Sequence, residues 1–372
     1  MQEAAGRVLA QELKAASDVP PFPCSAMDGY AVKAGPPGRT LTVIGEARAG
    51  SPSERPVGDG EAIRVSTGAA IPAGTEGVVR QEDVERRDGK ILVRSEISSG
   101  ENIRAAGEDL QAGATVLYPG AVLGTAELGT AVNAGAGEVS VRRQPRVVVL
   151  CTGDELRAPG EPLGPGQIYN TNGPMLRLLA QRAGALVAAC DQLPDDAEAT
   201  RAGLAAGLER ADVLIISGGV SVGPHDYVKP ALEILGVKEL FWRVALQPGG
   251  PTWFGERDGK LVFGLPGNPV SAVVTFTLFV RPALLAMQGF APQRRLEAEG
   301  RLAVAVARNP KRLQAMRVRL ERVDGTVLVT PNGPQGSHLI SSLLGADALA
   351  FIPPGEGELP AGAQVALEEL PA

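Results

Sequence analysis

The sequence predicts an α/β multidomain protein: a central parallel α/β domain, a small β domain, an N-terminal helical or extended linker region and a C-terminal β-barrel. Three observations carry this. At 372 residues the chain exceeds what one ordinary core organises. Across residues 144–291, unbroken apolar strands alternate with segments of helical periodicity, the pattern of a parallel sheet covered on both faces. On either side, short strands are cut by glycine and proline, whose 47 and 30 copies follow no period and so mark turns rather than a repeat.

In chain order, "MQEAAGRVLAQELKAASDVP" is charged and amphipathic and reads as a short helix, followed by loop to about Val32. The strings "LTVIGEA", "GEAIRVSTGA" and "EGVVRQEDVERRDGKILVRS" read as short strands of a small β domain over 38–105. Turn signals in "LQAGATVLYPG" precede a helix, "TAELGTAVNAG", so that 1–37 and 106–143 together form the linker region. In the central domain "PRVVVLCTGDEL", "LVAACDQLPDD" and "DVLIISGGVSVG" are strands. "NTNGPMLRLLAQRAGA", "DAEATRAGLAAGLERA" and "PHDYVKPALEILG" are helices between them. "FWRVALQPGGPTWFGERDGKLVFGLPGNPVSA" adds further strands and a last long helix. Over 292–372, "LEAEGRLAVAV", "QAMRVRLERVDGTVLVTP" and "GAQVALEEL" read as a small β-barrel or sandwich.

Composition excludes several functions. A net charge of −6 without a basic block argues against nucleic-acid binding. Cys24, Cys151 and Cys190 fit neither a disulfide framework nor a zinc spacing, which suits a reducing cytoplasm. With only His225 and His338, any metal is expected to be hard and oxygen-liganded. No signal-peptide pattern opens the chain, and Arg281-Pro282 is expected to end the most apolar window, Val270 to Val280, short of a bilayer span. The expectation is a soluble cytoplasmic protein with no membrane partner.

A parallel sheet binds ligands beyond the C-terminal ends of its strands. There stand "CTGDE", "DQLPDD", "SGGVSVGPHD" and "LPGNP". Ser217 to Gly223 are small residues that either cradle an anion or make a tight turn. Asp154, Glu155, Asp195, Asp196 and Asp226 either cap helices or share a cation, for which Mg²⁺ suits carboxylates, waters and a substrate phosphate. The turns "QPGGP" and "LPGNP" are either plain loop chemistry or the rim of one anion pocket. Elsewhere Asp28 in "SAMDGYAV", Thr67 in "STGAAIPAG", and Glu101, Arg104, Glu108 and Asp109 in "GENIRAAGEDL" lie in loops open to either role.

Taken in order, "SAMDGYAV", "STGAAIPAG", "VVRQE", "GENIRAAGEDL", "CTGDEL", "IYNTN", "SGGVSVGPHDY", "FWRVALQPGGP" and "GLPGNPVSA" resemble the MoeA family, which includes the gephyrin E domain. The resemblance spans nearly the whole chain. It implies molybdenum insertion: adenylylated molybdopterin and molybdate react, with Mg²⁺, to release AMP and molybdenum cofactor. It also implies an elongated homodimer that pairs through the linker region and shares its active sites. The central domain would resemble the pathway's adenylyltransferase (MogA-like), which is itself a candidate partner. By the same resemblance Asp28, Thr67 and Asp109 are catalytic residues from the small-domain side. Glu155, Asp195 and Asp226 are their counterparts on the α/β side. Asp28, Asp109, Glu155 and Asp226 would hold the metal. Ser217, Gly218, Gly219, Ser221, Gly223, Arg243, Pro266, Gly267, Asn268 and Pro269 would hold the pterin nucleotide.

Departures from the family pattern qualify this. The family's K-x-x-x-K-P-G-K-P is here "RVALQPGGP": Arg243 keeps one charge, while Gln247 and Gly250 stand where lysines do. A charge-assisted hydrogen bond contributes roughly 1.5–3 kcal/mol. Two lost would cost on the order of two to four powers of ten in anion binding or rate. "PFPC" replaces an Asp-Asn pair before "SAMDGYAV", and the family's helical segment ahead of "GRVLAQEL" is not seen, so the chain begins late or its dimer is reduced. The alternatives to an active insertase are therefore a catalytically weak cofactor-binding or scaffold paralogue, and an insertase for tungstate. A dinucleotide enzyme is disfavoured because no G-x-G-x-x-G opens the first βα unit.

Overall fold

The structure is a computed structural model that describes residues 1–220, 226–291 and 298–370, Ala298 by its backbone alone. It divides into two compact units, Met1–Arg142 and Arg143–Ala372.

The first unit is built on a six-stranded sheet in the order Gly77–Arg80, Gly29–Val32, Glu61–Val65, Thr40–Ala47, Lys90–Val93, Val84–Arg87. Alternate residues bury to opposite faces: Tyr30, Val32 and Ala62 in one cluster, Ala31, Ile63 and Val65 in another. Gly29–Val32, read from the sequence as part of the linker, is an interior strand of this sheet. The helix Thr125–Asn133 forms where its periodicity placed it.

The expected N-terminal helix is corrected. Only a 3₁₀ turn, Gln2–Ala4, forms, and Gly6 then adopts φ +73°, which breaks helical continuation. The following backbone pairs with distant chain instead: Leu13–Lys14 with Thr115–Leu117, and Val8 and Leu9 with Val122 and Val141. Ala4, Leu9 and Leu123 bury together as a result. Local amphipathicity lost to pairing partners more than a hundred residues away.

In the second unit a six-stranded sheet runs Leu186–Leu193, Arg146–Thr152, Val213–Ser217, Lys260–Leu265, Trp253–Arg257, Lys238–Trp242. The first four strands are parallel, as predicted. The last two are antiparallel, which corrects the wholly parallel expectation. The cause is local: Asp258 and Gly259 both take left-handed φ (+52° and +76°), the tight hairpin turn that returns a strand beside itself. Both faces are covered, Val147, Val149 and Ile215 packing on one side and Val148, Leu150 and Ile216 on the other.

A single helix, Pro269–Met287, joins this sheet to the barrel. Ala272, Phe276, Val280 and Leu284 bury against the sheet, and Val270, Val274 and Leu278 against Ala315, Leu349 and Phe351 of the barrel. Both rows follow the four-residue spacing of a helix face. The expected stop at Arg281-Pro282 does not occur. A wide π turn, Phe276–Val280, precedes Pro282, so its missing N–H falls where the hydrogen-bond ladder is already interrupted. At 19 residues this helix is long and apolar enough to cross a membrane, but over half of it is buried as a core element.

The strands Leu313–Val323, Thr326–Pro331, Ala298–Leu302, Gln364–Glu369 and Ala348–Ile352 close into a five-stranded barrel through the Leu313–Val323/Ala348–Ile352 pairing. This resolves the barrel-or-sandwich alternative. Leu246–Gln247 leaves the central domain and adds to the barrel, parallel to Leu313–Gln314.

Candidate active site

Parallel registry aligns Cys151 with Ser217 and Ser217 with Leu265, so three strand-end loops emerge at one edge of the sheet. Gly218 (φ +94°) turns so close to the neighbouring strand that a Cβ would stand 2.8 Å from Thr152 Oγ1 and 2.9 Å from Thr152 O. Its N–H donates to Leu265 O (3.1 Å), so Gly218 shapes the turn and its donor is spent within the edge. Gly219 is also left-handed (φ +65°). A Cβ at Gly267 would lie 3.9 Å from Gly218 Cα, which places the two loops side by side.

Asn172, quoted in "IYNTN" but given no role there, ties them together. Its Nδ2 donates to Ser217 Oγ (2.8 Å) and Gly267 O (2.7 Å). Its Oδ1 is buried and finds no donor among the described residues, so it can accept one further N–H or O–H. Pro266 is buried, and Pro269 opens the long helix after Asn268, whose Nδ2 donates to Ser337 Oγ (2.9 Å) of the barrel side. Ser221, Gly223 and His225 lie outside the described residues.

The two Pro-Gly turns do rim one cavity. It is about 660 Å³, lined by Leu246–Pro251 from the first turn, Pro266, Asn268 and Ser271 from the second, and barrel-side residues 309–312 and 335–337. The sequence reading missed the barrel contribution, because nothing local marks residues 309–312 as near residue 247. Arg243 is not in this lining. Left-handed itself (φ +68°), it stacks its guanidinium 4.4 Å from the Trp242 ring centre, and Lys229 Nζ approaches the same ring at 3.2 Å. Beside the cavity, Arg317 is wholly buried. Its Nη2 donates to Pro334 O and Gly336 O, its Nε to Ser342 Oγ, and its Nη1 has no partner among the described residues. Burial pushes its pKa down, and nothing local in the sequence distinguishes it from Arg319 and Arg322 of the same strand.

The acids divide between the units. In the first, Asp28 Oδ1 accepts from Thr67 N (2.7 Å) and Thr67 Oγ1 (3.0 Å), and those bonds, the backbone one foremost, hold its carboxyl below the ordinary 3.8. Asp109 is exposed, with its N–H donated to Val19 O. In the second, Glu155 folds over Gly153, where a Cβ would meet Glu155 Oε2 at 2.3 Å. Asp195 and Asp154 exchange bonds: Asp154 N donates to Asp195 Oδ2 (3.3 Å) and Asp195 N to Asp154 Oδ1 (3.1 Å), lacing two strand ends. Asp196 is a plain helix N-cap, accepting from Ala199 N. Asp226 stands half-buried just before the helix Val228–Ile234. Among the described residues, no three carboxylate, thiol or imidazole groups converge on one cation position.

Because the folded pKa of Asp28 is depressed, the stabilisation tied to its ionisation is complete above the ordinary value and lost only as pH falls through the lowered one. Thr67→Val retains the backbone donor and removes the hydroxyl. The Asp28 carboxyl titration, followed by NMR, should move part of the way up towards 3.8; an unmoved titration would dismiss the hydroxyl as a cause.

Known proteins share this architecture from end to end. Residues 1–135 match the MoeA N-terminal region (domain I and II), 148–286 a probable molybdopterin binding domain, and 299–370 the MoeA C-terminal region (domain IV). The chain is 38% identical to the molybdopterin molybdenumtransferase of Haemophilus influenzae, over 99% of this chain and 92% of that one. It is 36% identical to molybdopterin molybdenumtransferase 2 of Mycobacterium tuberculosis, over 100% and 94%. The crystal structure of a molybdopterin biosynthesis MoeA protein from Pyrococcus horikoshii superposes with a TM-score of 0.83 at 33% identity, covering 100% of this chain and 93% of that one. With its family regions in order and relatives above 30% identity along nearly its whole length, the chain belongs to the MoeA family.

Proposed function

We propose that this chain inserts molybdenum into adenylylated molybdopterin, consuming molybdate and releasing AMP and molybdenum cofactor. The observation that carries the reading is the cavity rimmed by both Pro-Gly turns, placed beside two strand-end loops that Asn172 pins together. The paired loops around Ser217, Gly218 and Gly267 receive the pterin nucleotide, and Asn172 Oδ1 accepts an N–H from it. The cavity takes molybdate, a tetrahedral dianion, next to those loops. Arg317, a buried cation with no carboxylate partner among the described residues, adds positive potential behind its wall. The dithiolene sulfurs that take up the molybdenum belong to the substrate.

Carboxylates are hard oxygen donors of the kind Mg²⁺ takes alongside several waters, and Asp28 is held ionised by Thr67. Asp28, Asp109, Glu155 and Asp226 would hold it; when bound it polarises the phosphoanhydride of the substrate. Asp195 is a positioning residue on this view, since its bonds with Asp154 hold the strand end that carries Glu155. The reading further includes a cytoplasmic homodimer whose subunits complete each other's sites, supplied by the adenylyltransferase that makes the substrate.

AMP release from adenylylated molybdopterin tests this directly. Release that requires both molybdate and Mg²⁺ is expected. Tight binding without release would point to the scaffold paralogue, and preferred turnover with tungstate to the other insertase. Absence of binding would sink the reading.

A further inference from the structure

We propose that Trp242 is a positioning residue for the reaction: its indole fastens both the strand-end loop Ser217–Val220 and the next helix in the chain, Val228–Ile234, and stacks Arg243 beside them. This rests on the reading that the strand-end loops receive the pterin nucleotide.

Trp242 ends the edge strand Lys238–Trp242 and is half-buried. Its Nε1–H donates to Val220 O (3.2 Å). Val220 is itself buried, and it fills the space over Gly264, where a Cβ would meet Val220 Cγ1 at 2.6 Å. The indole bond therefore reaches a residue already wedged against the sheet, directly after the left-handed pair Gly218 and Gly219. The face of the same ring carries the helix: Lys229 Nζ lies 3.2 Å from the ring centre. The guanidinium of the exposed Arg243 lies 4.4 Å from that centre. One side chain thus ties together three elements, through its N–H to the loop and through its π face to two cations.

A bulge in the edge strand aims the indole there. Glu239 pairs with Gly255 and Phe241 with Phe254, which leaves Leu240 as an extra, exposed residue without an opposite number. In an unbroken strand residues 239 and 242 would face opposite sides of the sheet. With the extra residue both meet Lys229, whose Nζ is 3.7 Å from Glu239 Oε2 as well as over the Trp242 ring. Glu239 Oε2 also accepts from Nε1 of the buried Trp253 (2.6 Å), so the core holds the carboxylate and the carboxylate steadies the ammonium against the ring. Strand pairing itself does not need the bulge, since the ladder with Trp253–Arg257 resumes beyond it. What the bulge accomplishes is the delivery of Trp242 to Val220 and Lys229.

Steady-state AMP release from adenylylated molybdopterin by the full chain, with melting temperature measured alongside, tests this. W242F keeps a ring and loses the N–H donor; kcat should fall about tenfold while KM moves less than about threefold. Its melting temperature should fall by no more than about 4 °C. W242L removes donor and π face together, and kcat should fall about 100-fold. K229M should cost about tenfold, and K229R should keep at least about half of the unaltered rate. Because Lys229 acts through the ring, K229M added to W242L should cost less than about twofold more. A further tenfold loss there would overturn the inference, since Lys229 would then act without Trp242. A fall in melting temperature with kcat unchanged, in W242F or W242L, would reduce Trp242 to a packing residue, overturning the inference and leaving the insertase reading standing. If W242L fails to fold, W242F and the pair K229M and K229R decide alone: unaltered kcat in W242F and K229M overturns the inference. Absence of AMP release by the unaltered chain would overturn both.

Discussion

Gly218→Ala should lower the rate of AMP release at least 100-fold. The residue holds φ +94°, and its missing Cβ would sit 2.8 Å from the Thr152 hydroxyl and 2.9 Å from the Thr152 carbonyl oxygen. A left-handed conformation costs a residue with a side chain roughly 1–2 kcal/mol. The contact with backbone oxygen is worse, because neither strand can swing aside as a flexible side chain would. The loop must back away. Gly267 lies against it and Asn172 bonds to both loops, so the displacement passes to the whole strand-end edge. A shift of about 1 Å in a reacting group's position costs on the order of 100-fold in rate. Gly259→Ala is the matched control: it carries similar strain (φ +76°) but has nothing within 4 Å of its Cβ and sits at the far end of the same sheet. It should cost stability alone. If Gly218→Ala releases AMP within threefold of the unaltered rate, the close approach to Thr152 has no part in the chemistry.

The largest stability effect is expected at Phe276. Its side chain is fully buried, on the sheet-facing row of the long helix with Ala272, Val280 and Leu284. Truncating a buried phenylalanine to alanine typically costs about 3–5 kcal/mol, part lost transfer energy and part cavity. In a unit this large, Phe276→Ala should lower the melting temperature by about 10 °C. The residue also sits where the helix widens into its π turn, so neighbours that might collapse into the cavity are held by the row facing the barrel. A fall of under 3 °C, measured by calorimetry, would mean the two cores repack independently of this helix.

Much of the candidate site was legible because its signals are local. Glycines before a helix, proline after glycine and acids at strand ends carry their meaning within a few residues. The apolar runs that bury both faces of the sheet are equally local, and the strands they predict are present. The tight turn between two strands at "ERDGK" is equally local, and the strands it joins are antiparallel. The roles of individual acids were less legible. Capping, strand lacing and substrate contact all use the same carboxylate, and Asp196 and Asp195 differ only in which backbone N–H each meets.

By itself, then, the sequence determined the domain classes, the strand-end loops and the two Pro-Gly turns as turns, all set by backbone preferences and hydrophobic period. Tertiary structure alone decided three things. The first residues became extended because pairing partners lay at 115–117 and 122–141. The long helix ran through Pro282 because two cores bury its two faces at once. The cavity took its barrel wall from residues 309–312 because Leu246–Gln247 leaves one domain to pair with Leu313–Gln314 of the next. Each depends on free energy gained between segments far apart in the chain, which no local window of residues contains.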